Sequence, residues 1–372
     1  MTDLFEAETV STTSLDLRRL QRQKRRATRR KWTLVATAVA LVVLALGASV
    51  AYGFLNSFQP EETTVADFEG SGQGTVQVVI EAGDTGTDIA NTLYDAGVVA
   101  STQAFIQAWQ SNPDSAGITP GYYFMQREMK AVYALQQLLD PNYRDVRRIT
   151  VREGVRLEYY YQKIADLTEY TYDEVEAAAA DTEALGLPAE AGGNLEGWLF
   201  PSTYEFNPGV TPQDVLSKMV ATTVSKLQSV GVPQDQWQRV LTVASLVEAE
   251  AKLDEDRPMI AGVIYNRLEA DMPLQFDSTV KYLSPSEGAF TSDEERAIDS
   301  PYNTYLYTGL PPGPIMGPGE ASIQAAWLPA EHDYMYFVTT NLITGETAYA
   351  ETYSEHLKNV EILQQWYAEN GG

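Results

Sequence analysis

The chain has no cysteine in 372 residues and only two histidines, His332 and His356. No disulfide can form, so stability must come from the packed core. A chain of this length with 44% apolar residues can supply one. Two histidines and no cysteine make a poor zinc donor set, and nothing around either histidine resembles a Ser-His-Asp triad. Basic residues are scarce as well: 26 Lys and Arg stand against 51 Asp and Glu, for a net charge of −25. Such an excess of acid excludes nucleic acid and anionic lipid as partners bound through general electrostatics, and it reads as a solubility trait.

The one basic stretch is at the N-terminus. Residues 18–31, RRLQRQKRRATRRK, hold nine Lys or Arg. The next segment, WTLVATAVALVVLALGASVAYGFL (32–55), has no charge at all. With the whole chain at −25 and residues 1–31 at +5, the 317 residues after the apolar run carry −30. Twenty-four helical residues span about 36 Å, enough for a hydrocarbon core of ~30 Å. Trp32 and Tyr52 lie near its two ends, where amphipathic rings prefer to sit. The pattern predicts a single-pass anchor with its basic flank in the cytoplasm and everything after residue 55 outside. A cleaved signal peptide is the competing reading, with Ser49-Val50-Ala51 as its processing site. It would need a leader 31 residues long before the apolar run, well beyond the usual length.

Residues 56–75, NSFQPEETTVADFEGSGQGT, read as a flexible linker, with a root-mean-square span of about 25 Å. From residue 76 the pattern becomes strand, turn at Ala82-Gly83-Asp84, then helix through Ile89, Leu93 and Tyr94. A helical piece (103–110), a strand near 121–124 and a helix over 131–139 complete a small α+β module at 76–146. A second strand, turn (Glu153-Gly154) and helix starts near 149 and opens a further α+β domain over 147–372. Within it, residues 300–319 form a long Pro/Gly loop of the kind that often carries function. A strand at 335–340, a turn around Gly345 and a helix over 353–369 end the chain.

The stretch LTVASLVEAEAKLDEDRPMIAGVIYNRL (241–268) poses the main chemical question. If residues 238–252 are helical, Val240, Val243, Ala244, Val247 and Ala251 form one apolar stripe. Glu248 and Glu250 then fall on its two opposite edges, each between stripe and solvent. A partly desolvated carboxyl there can hold a proton and act as a general acid. Two ordinary solvated glutamates on an amphipathic helix fit the same pattern, and spacing cannot rank the pair. Pro258 is expected to divide the stretch into two helices, the second over 258–268. The acidic runs at 254–256 and 293–295 lack calcium-loop spacing and read as solvated loops. His332 has no partner in the sequence and reads as a surface residue.

Several motifs in order carry a resemblance. LEGWLFPSTYEF (195–206), ASLVEAEA (244–251), AGVIYNRL (261–268), MPLQFDSTVKY (272–282), SPYNTYLYTGLPPGPI (300–315) and ASIQAAWLPAEHDYMYFV (321–338) resemble the YceG-like (MltG) endolytic murein transglycosylases. The 76–146 module resembles the LysM-like domain of that family more loosely. The resemblance implies a bacterial plasma-membrane protein with its catalytic domain, 147–372, outside the cytoplasm. It also implies cleavage of the β-1,4 bond between N-acetylmuramic acid and N-acetylglucosamine in nascent peptidoglycan, leaving 1,6-anhydro ends. Glycan strands are the implied substrate and membrane-bound glycan polymerases the implied neighbours. No metal or cofactor is required.

By the same resemblance Glu248, the first glutamate of the Glu-x-Glu pair, is the catalytic residue. It protonates the leaving oxygen and then takes the proton of the muramic acid C6 hydroxyl, so a second carboxylate is unnecessary. Gln275, Asp277, Thr279, Tyr302, Asn303 and Tyr305 are implied to line the substrate cleft, with Glu250 in support and Glu196 in a supporting, structural role. The chain departs from the family pattern at four places: Ala249 stands for a Lys, Phe276-Asp277-Ser278-Thr279 for Ser-Asp-Pro-Thr, Gly317 for an Asn, and Leu357 for the Asn after His356. Two rivals remain at the level of sequence. One is a lysozyme-type hydrolase using Asp277 or Glu250 as its second carboxylate. The other is a non-catalytic wall-binding scaffold built on the LysM-like module.

Overall fold

The computed structural model describes residues 12–57, 65–284 and 291–370. The start of the basic segment (1–11) and residues 58–64 of the expected linker lie outside the described residues. The chain forms two compact units, Met1–Ala66 and Asp67–Gly372. Among its described residues the first holds a single helix, α1 (Thr12–Asn56), and its part Trp32–Asn56 is long and apolar enough to cross a membrane. Valine and leucine side chains along that part are exposed on all sides, a surface suited to lipid rather than to one packed face.

The second unit is mixed α and β. It opens with β1 (Ser71–Ile80), α2 (Gly86–Asp95), α3 (Thr102–Ser111), β2 (Gly121–Met129) and α4 (Ala131–Leu139). β1 pairs antiparallel with β2, and Val78, Ile80, Leu93, Phe105, Tyr123, Met125 and Leu135 are buried between sheet and helices. The α2 N-terminus is fixed by a reciprocal capping box between Thr85 and Asp88. β1 begins at Ser71, inside the stretch that reads as linker. The glycines there serve the pairing: a Cβ on Gly72, at φ +86°, would lie 2.5 Å from the Arg127 carbonyl oxygen.

Next, β3 (Arg147–Thr150) pairs antiparallel with β4 (Thr203–Phe206). Around this ribbon pack α5 (Leu157–Leu167), α6 (Tyr172–Ala179) and α7 (Pro212–Val230), which bury Ile149, Tyr160, Ile164, Val175, Leu216 and Met219 in one cluster. The remaining elements are α8 (Trp237–Glu250), α9 (Asp256–Glu269), α10 (Asp277–Leu283), α11 (Asp293–Arg296), α12 (Glu320–Trp327), the antiparallel pair β5 (Tyr336–Thr339) and β6 (Thr347–Ala350), and α13 (Tyr353–Asn370). Residues 300–319 carry no helix or strand, as their composition predicts.

α8 is the axis of the second core. Every residue from Val240 to Val247 is buried, including Leu241, Thr242, Ser245 and Leu246, which lie off the expected stripe. The helix is therefore enclosed on all faces rather than amphipathic. Its two buried hydroxyls are satisfied locally: Thr242 donates to the Gln238 carbonyl at 2.7 Å, and Ser245 to that of Thr242 at 2.8 Å. The break expected at Pro258 lies instead at 251–255, and Pro258 sits in the first turn of α9, where its missing N–H costs nothing.

Candidate active site

Glu248 and Glu250 emerge at the C-terminal turn of α8, the first place where that buried helix opens, and they face different elements. Glu248 turns toward α9 and α12. Its Oε2 accepts from Arg257 Nη1 at 3.0 Å, from Ser322 Oγ at 2.7 Å and from the Gly319 backbone N–H at 3.0 Å. Arg257 also donates to Ser322 Oγ and, through Nε, to Asp254 at 3.0 Å. All three donors converge on one oxygen, and Oε1 has no hydrogen-bond partner among the described residues. Such a carboxyl is held in one orientation while one oxygen stays available to an incoming group.

A second carboxyl stands beside it that the sequence shows only as a turn residue. Glu153 is carried to this place by two backbone bonds, Gly154 N–H to the Gly317 carbonyl and Gly317 N–H to that of Val155, each 2.9 Å. Its carboxyl lies over Gly319, where a Cβ would come within 2.1 Å of Oε1. Burial and the neighbouring Glu248 push the Glu153 carboxyl above the usual range, against the pull of Arg257. Gly317 has a local reason too: a Cβ there would sit 2.3 Å from the Tyr160 hydroxyl, which occupies that space.

Glu250 turns the other way, toward α10, where Ser278 Oγ donates to its Oε1 at 2.6 Å. Its carboxyl is pushed above the usual range by burial and by Asp277 nearby. It lines a cavity of about 470 Å³ together with Arg267, Gln275, Asp277, Tyr305 and His356. Asp277 Oδ1 accepts from the Tyr305 hydroxyl and from Thr291 Oγ1, both at 2.6 Å, and Arg296 Nε lies 3.6 Å away. Gln275 is one of three non-glycine residues with positive φ among the described residues, at 53°, a conformation that long side chains seldom adopt.

The other expected cleft residues separate into two groups. Thr279 and Asn303 are fully buried and bonded within the protein. Thr279 Oγ1 donates to the Phe276 carbonyl at 2.7 Å, and Asn303 Nδ2 to those of Arg296 and Ile298 at 2.8 Å. Fully buried, they cannot touch a ligand as they stand. Tyr302 lies elsewhere, with its ring 5.0 Å from that of Tyr282, which Arg156 covers at 5.0 Å. Near them Glu196 is buried, and burial pushes its carboxyl up to about 7; its Oε2 accepts a long bond, 3.5 Å, from the Leu157 N–H, and Oε1 has no partner among the described residues.

Two surface readings are corrected. His332 is packed against α9: its Nε2 is 2.9 Å from the Met259 carbonyl, and it fills the space a Cβ on Gly262 would need. Within the acidic run 254–256 only Glu255 is free of such ties. Asp254 pairs with Arg257, and Asp256 is buried, accepting from the Tyr349 hydroxyl at 2.6 Å. The run at 293–295 begins α11, where Ser292 and Glu295 form a capping box.

Over 337 residues the chain is 32% identical to a Bacillus subtilis (strain 168) protein named endolytic murein transglycosylase, covering 86% of this chain and 91% of that one. It is 28% identical over 362 residues to a protein of the same name from Streptococcus pneumoniae serotype 2 (strain D39), covering 88% of this chain. Here the match spans 64% of the streptococcal protein, less than two thirds of its length. The 2.6 Å crystal structure of a yceG-like protein from Listeria monocytogenes is 29% identical, with a TM-score of 0.51 over 77% of this chain and 99% of that one. Residues 78–362 match the YceG-like family as a whole, so the chain belongs to that family.

Proposed function

We propose that the chain is a membrane-anchored endolytic transglycosylase that cuts nascent peptidoglycan strands between N-acetylmuramic acid and N-acetylglucosamine. The observation that carries this reading is the one-sided clamp on Glu248: three donors on Oε2 and none on Oε1 among the described residues. A proton on Oε1 passes to the glycosidic oxygen as the bond from C1 to that oxygen breaks. The muramic acid C6 hydroxyl then forms a bond to C1, and its proton returns to Glu248. Between the two transfers Glu248 is a carboxylate, and Arg257, Ser322 and the Gly319 N–H stabilise it.

In this reading α1 is the anchor, with its N-terminus in the cytoplasm. The 76–146 module is a LysM-like wall-binding part, 147–372 is the catalytic part, and membrane-bound glycan polymerases are neighbours. Gln275, Asp277 and Tyr305 contact substrate, Thr279 and Asn303 keep the wall in shape, and Glu250 supports.

Hydrolysis is the second reading, and Glu153 favours it, because a carboxylate beside Glu248 could activate a water. Mass spectrometry of the released muropeptides separates the two. Anhydro ends, lighter by one water, are expected; reducing ends alone would replace this mechanism with a hydrolytic one, and no new ends would favour a wall-binding scaffold.

A further inference from the structure

We infer that the cavity around Glu250 is a binding site for the peptide stem of the glycan strand, on the opposite side of α8 from Glu248. The inference rests on peptidoglycan being the substrate. The cavity, of about 470 Å³, is lined by groups of both signs: Asp277 pairs with Arg296 at 3.6 Å, while Glu250 and Arg267 form no direct ion pair among the described residues. Arg267 is buried, and Glu250 acts on it electrostatically without coming within ion-pair distance. Its Nε donates to the Met335 carbonyl at 2.6 Å and its Nη1 to that of Leu274, its guanidinium lies 5.3 Å from the Tyr336 ring and 6.0 Å from that of Phe276, and Nη2 makes no hydrogen bond among the described residues. Opposite stand the carboxyls of Glu250 and Asp277, each tied on one oxygen to hydroxyl donors. His356 Nδ1 is buried there without a partner as well. At the rim Gln275 keeps a strained backbone and an exposed side chain.

A buried guanidinium that has aromatic rings against it but no direct carboxylate partner gains further from a ligand anion. The cavity therefore suits a ligand carrying both a carboxylate and an amine. The sugars of a glycan strand offer neither charge, because the muramic acid lactyl carboxyl is consumed in the amide to the stem. The stem offers both.

Reach also agrees. Glu248 and Glu250 are two residues apart, about 3 Å along the helix axis, on opposite sides of a helix ~10 Å across. An extended pentapeptide spans about 17 Å. The cavity therefore lies within a stem's length of a muramic acid beside Glu248.

The test compares two substrates with the full chain in detergent micelles: glycan strands bearing pentapeptide stems, and the same strands stripped by an amidase, which keep a free lactyl carboxylate but no amine. The wild type is expected to cleave stem-bearing strands with about tenfold higher kcat/KM, expressed mainly in KM, as fits one or two charge-assisted contacts. Arg267→Lys and Gln275→Ala should each shrink that ratio, and Gln275, being exposed, gives a variant that folds if the buried arginine does not. A free stem pentapeptide should bind the inactive Glu248→Gln protein by calorimetry and lose that binding when Gln275→Ala is added. Equal rates on both substrates, or a ratio unchanged in the variants, would overturn the inference while leaving the transglycosylase reading intact. Cleavage of neither substrate would overturn that reading, and this inference with it.

Discussion

Arg257 Nη1 lies 3.0 Å from Glu248 Oε2, and the two side chains are 10% and 8% exposed. A pair this buried is held by geometry on both sides, with Ser322 and the Gly319 N–H adding donors to the same oxygen. Removing one partner leaves the other uncompensated. Arg257→Met should therefore cost about 3–5 kcal/mol of stability, read from urea unfolding, and abolish strand cleavage. Arg257→Lys should recover part of the stability but little activity, since an ammonium cannot reach Glu248, Ser322 and Asp254 together. Wild-type stability in Arg257→Met would contradict the pairing.

Glu153 belongs to the same electrostatic unit as Glu248, although it lies in a different part of the chain. Gly319→Ala puts a methyl where the Glu153 carboxyl sits, 2.1 Å from Oε1. The flexible side chain can swing away, so stability should change little while cleavage falls. Glu153→Ala should lower cleavage similarly. The double variant should then be less impaired than the product of the two effects, by an interaction energy of about 1 kcal/mol. Independent, multiplicative effects would separate Glu153 from the site.

Glu196 offers a test by pH. Its carboxyl is raised from 4.5 to about 7 by burial. A group whose folded value is raised contributes stability that is fully present below its unfolded value and is lost as pH rises through the folded one. The window is therefore pH 4.5 to 7, and the change is roughly 3 kcal/mol. Glu196→Gln cannot ionise, so its stability should change less across that window, and it should gain on the wild type above pH 7. Parallel unfolding curves for the two proteins between pH 4.5 and 8 would show that Glu196 is not the group responsible.

Much of the fold was legible in the sequence because its signals are local. The helix expected over 131–139 is α4, Ala131–Leu139, and the helix following the Glu153-Gly154 turn is α5. Other features were hidden by contacts distant in sequence. α8 reads as amphipathic because its stripe is visible, but α9, α12 and the 300–319 loop cover its remaining faces. SGQGT reads as linker until Arg127 is seen against Gly72. The turn at Glu153 gains chemical meaning only through its backbone bonds to Gly317, and the acidic run 254–256 only through Arg257 and Tyr349. The two glutamates of α8 could be named but not ranked from periodicity; what distinguishes them is which neighbours each one meets.

The most direct test of the account is Glu248→Gln. Gln keeps the shape, and its amide oxygen can accept the Ser322 and Gly319 donors, but it cannot give a proton to a leaving oxygen or take one from a C6 hydroxyl. The account predicts that Glu248→Gln retains cooperative unfolding and releases no anhydro-muropeptides from stem-bearing glycan strands, where the wild type does. Anhydro products formed by Glu248→Gln at a rate near the wild type's would contradict it.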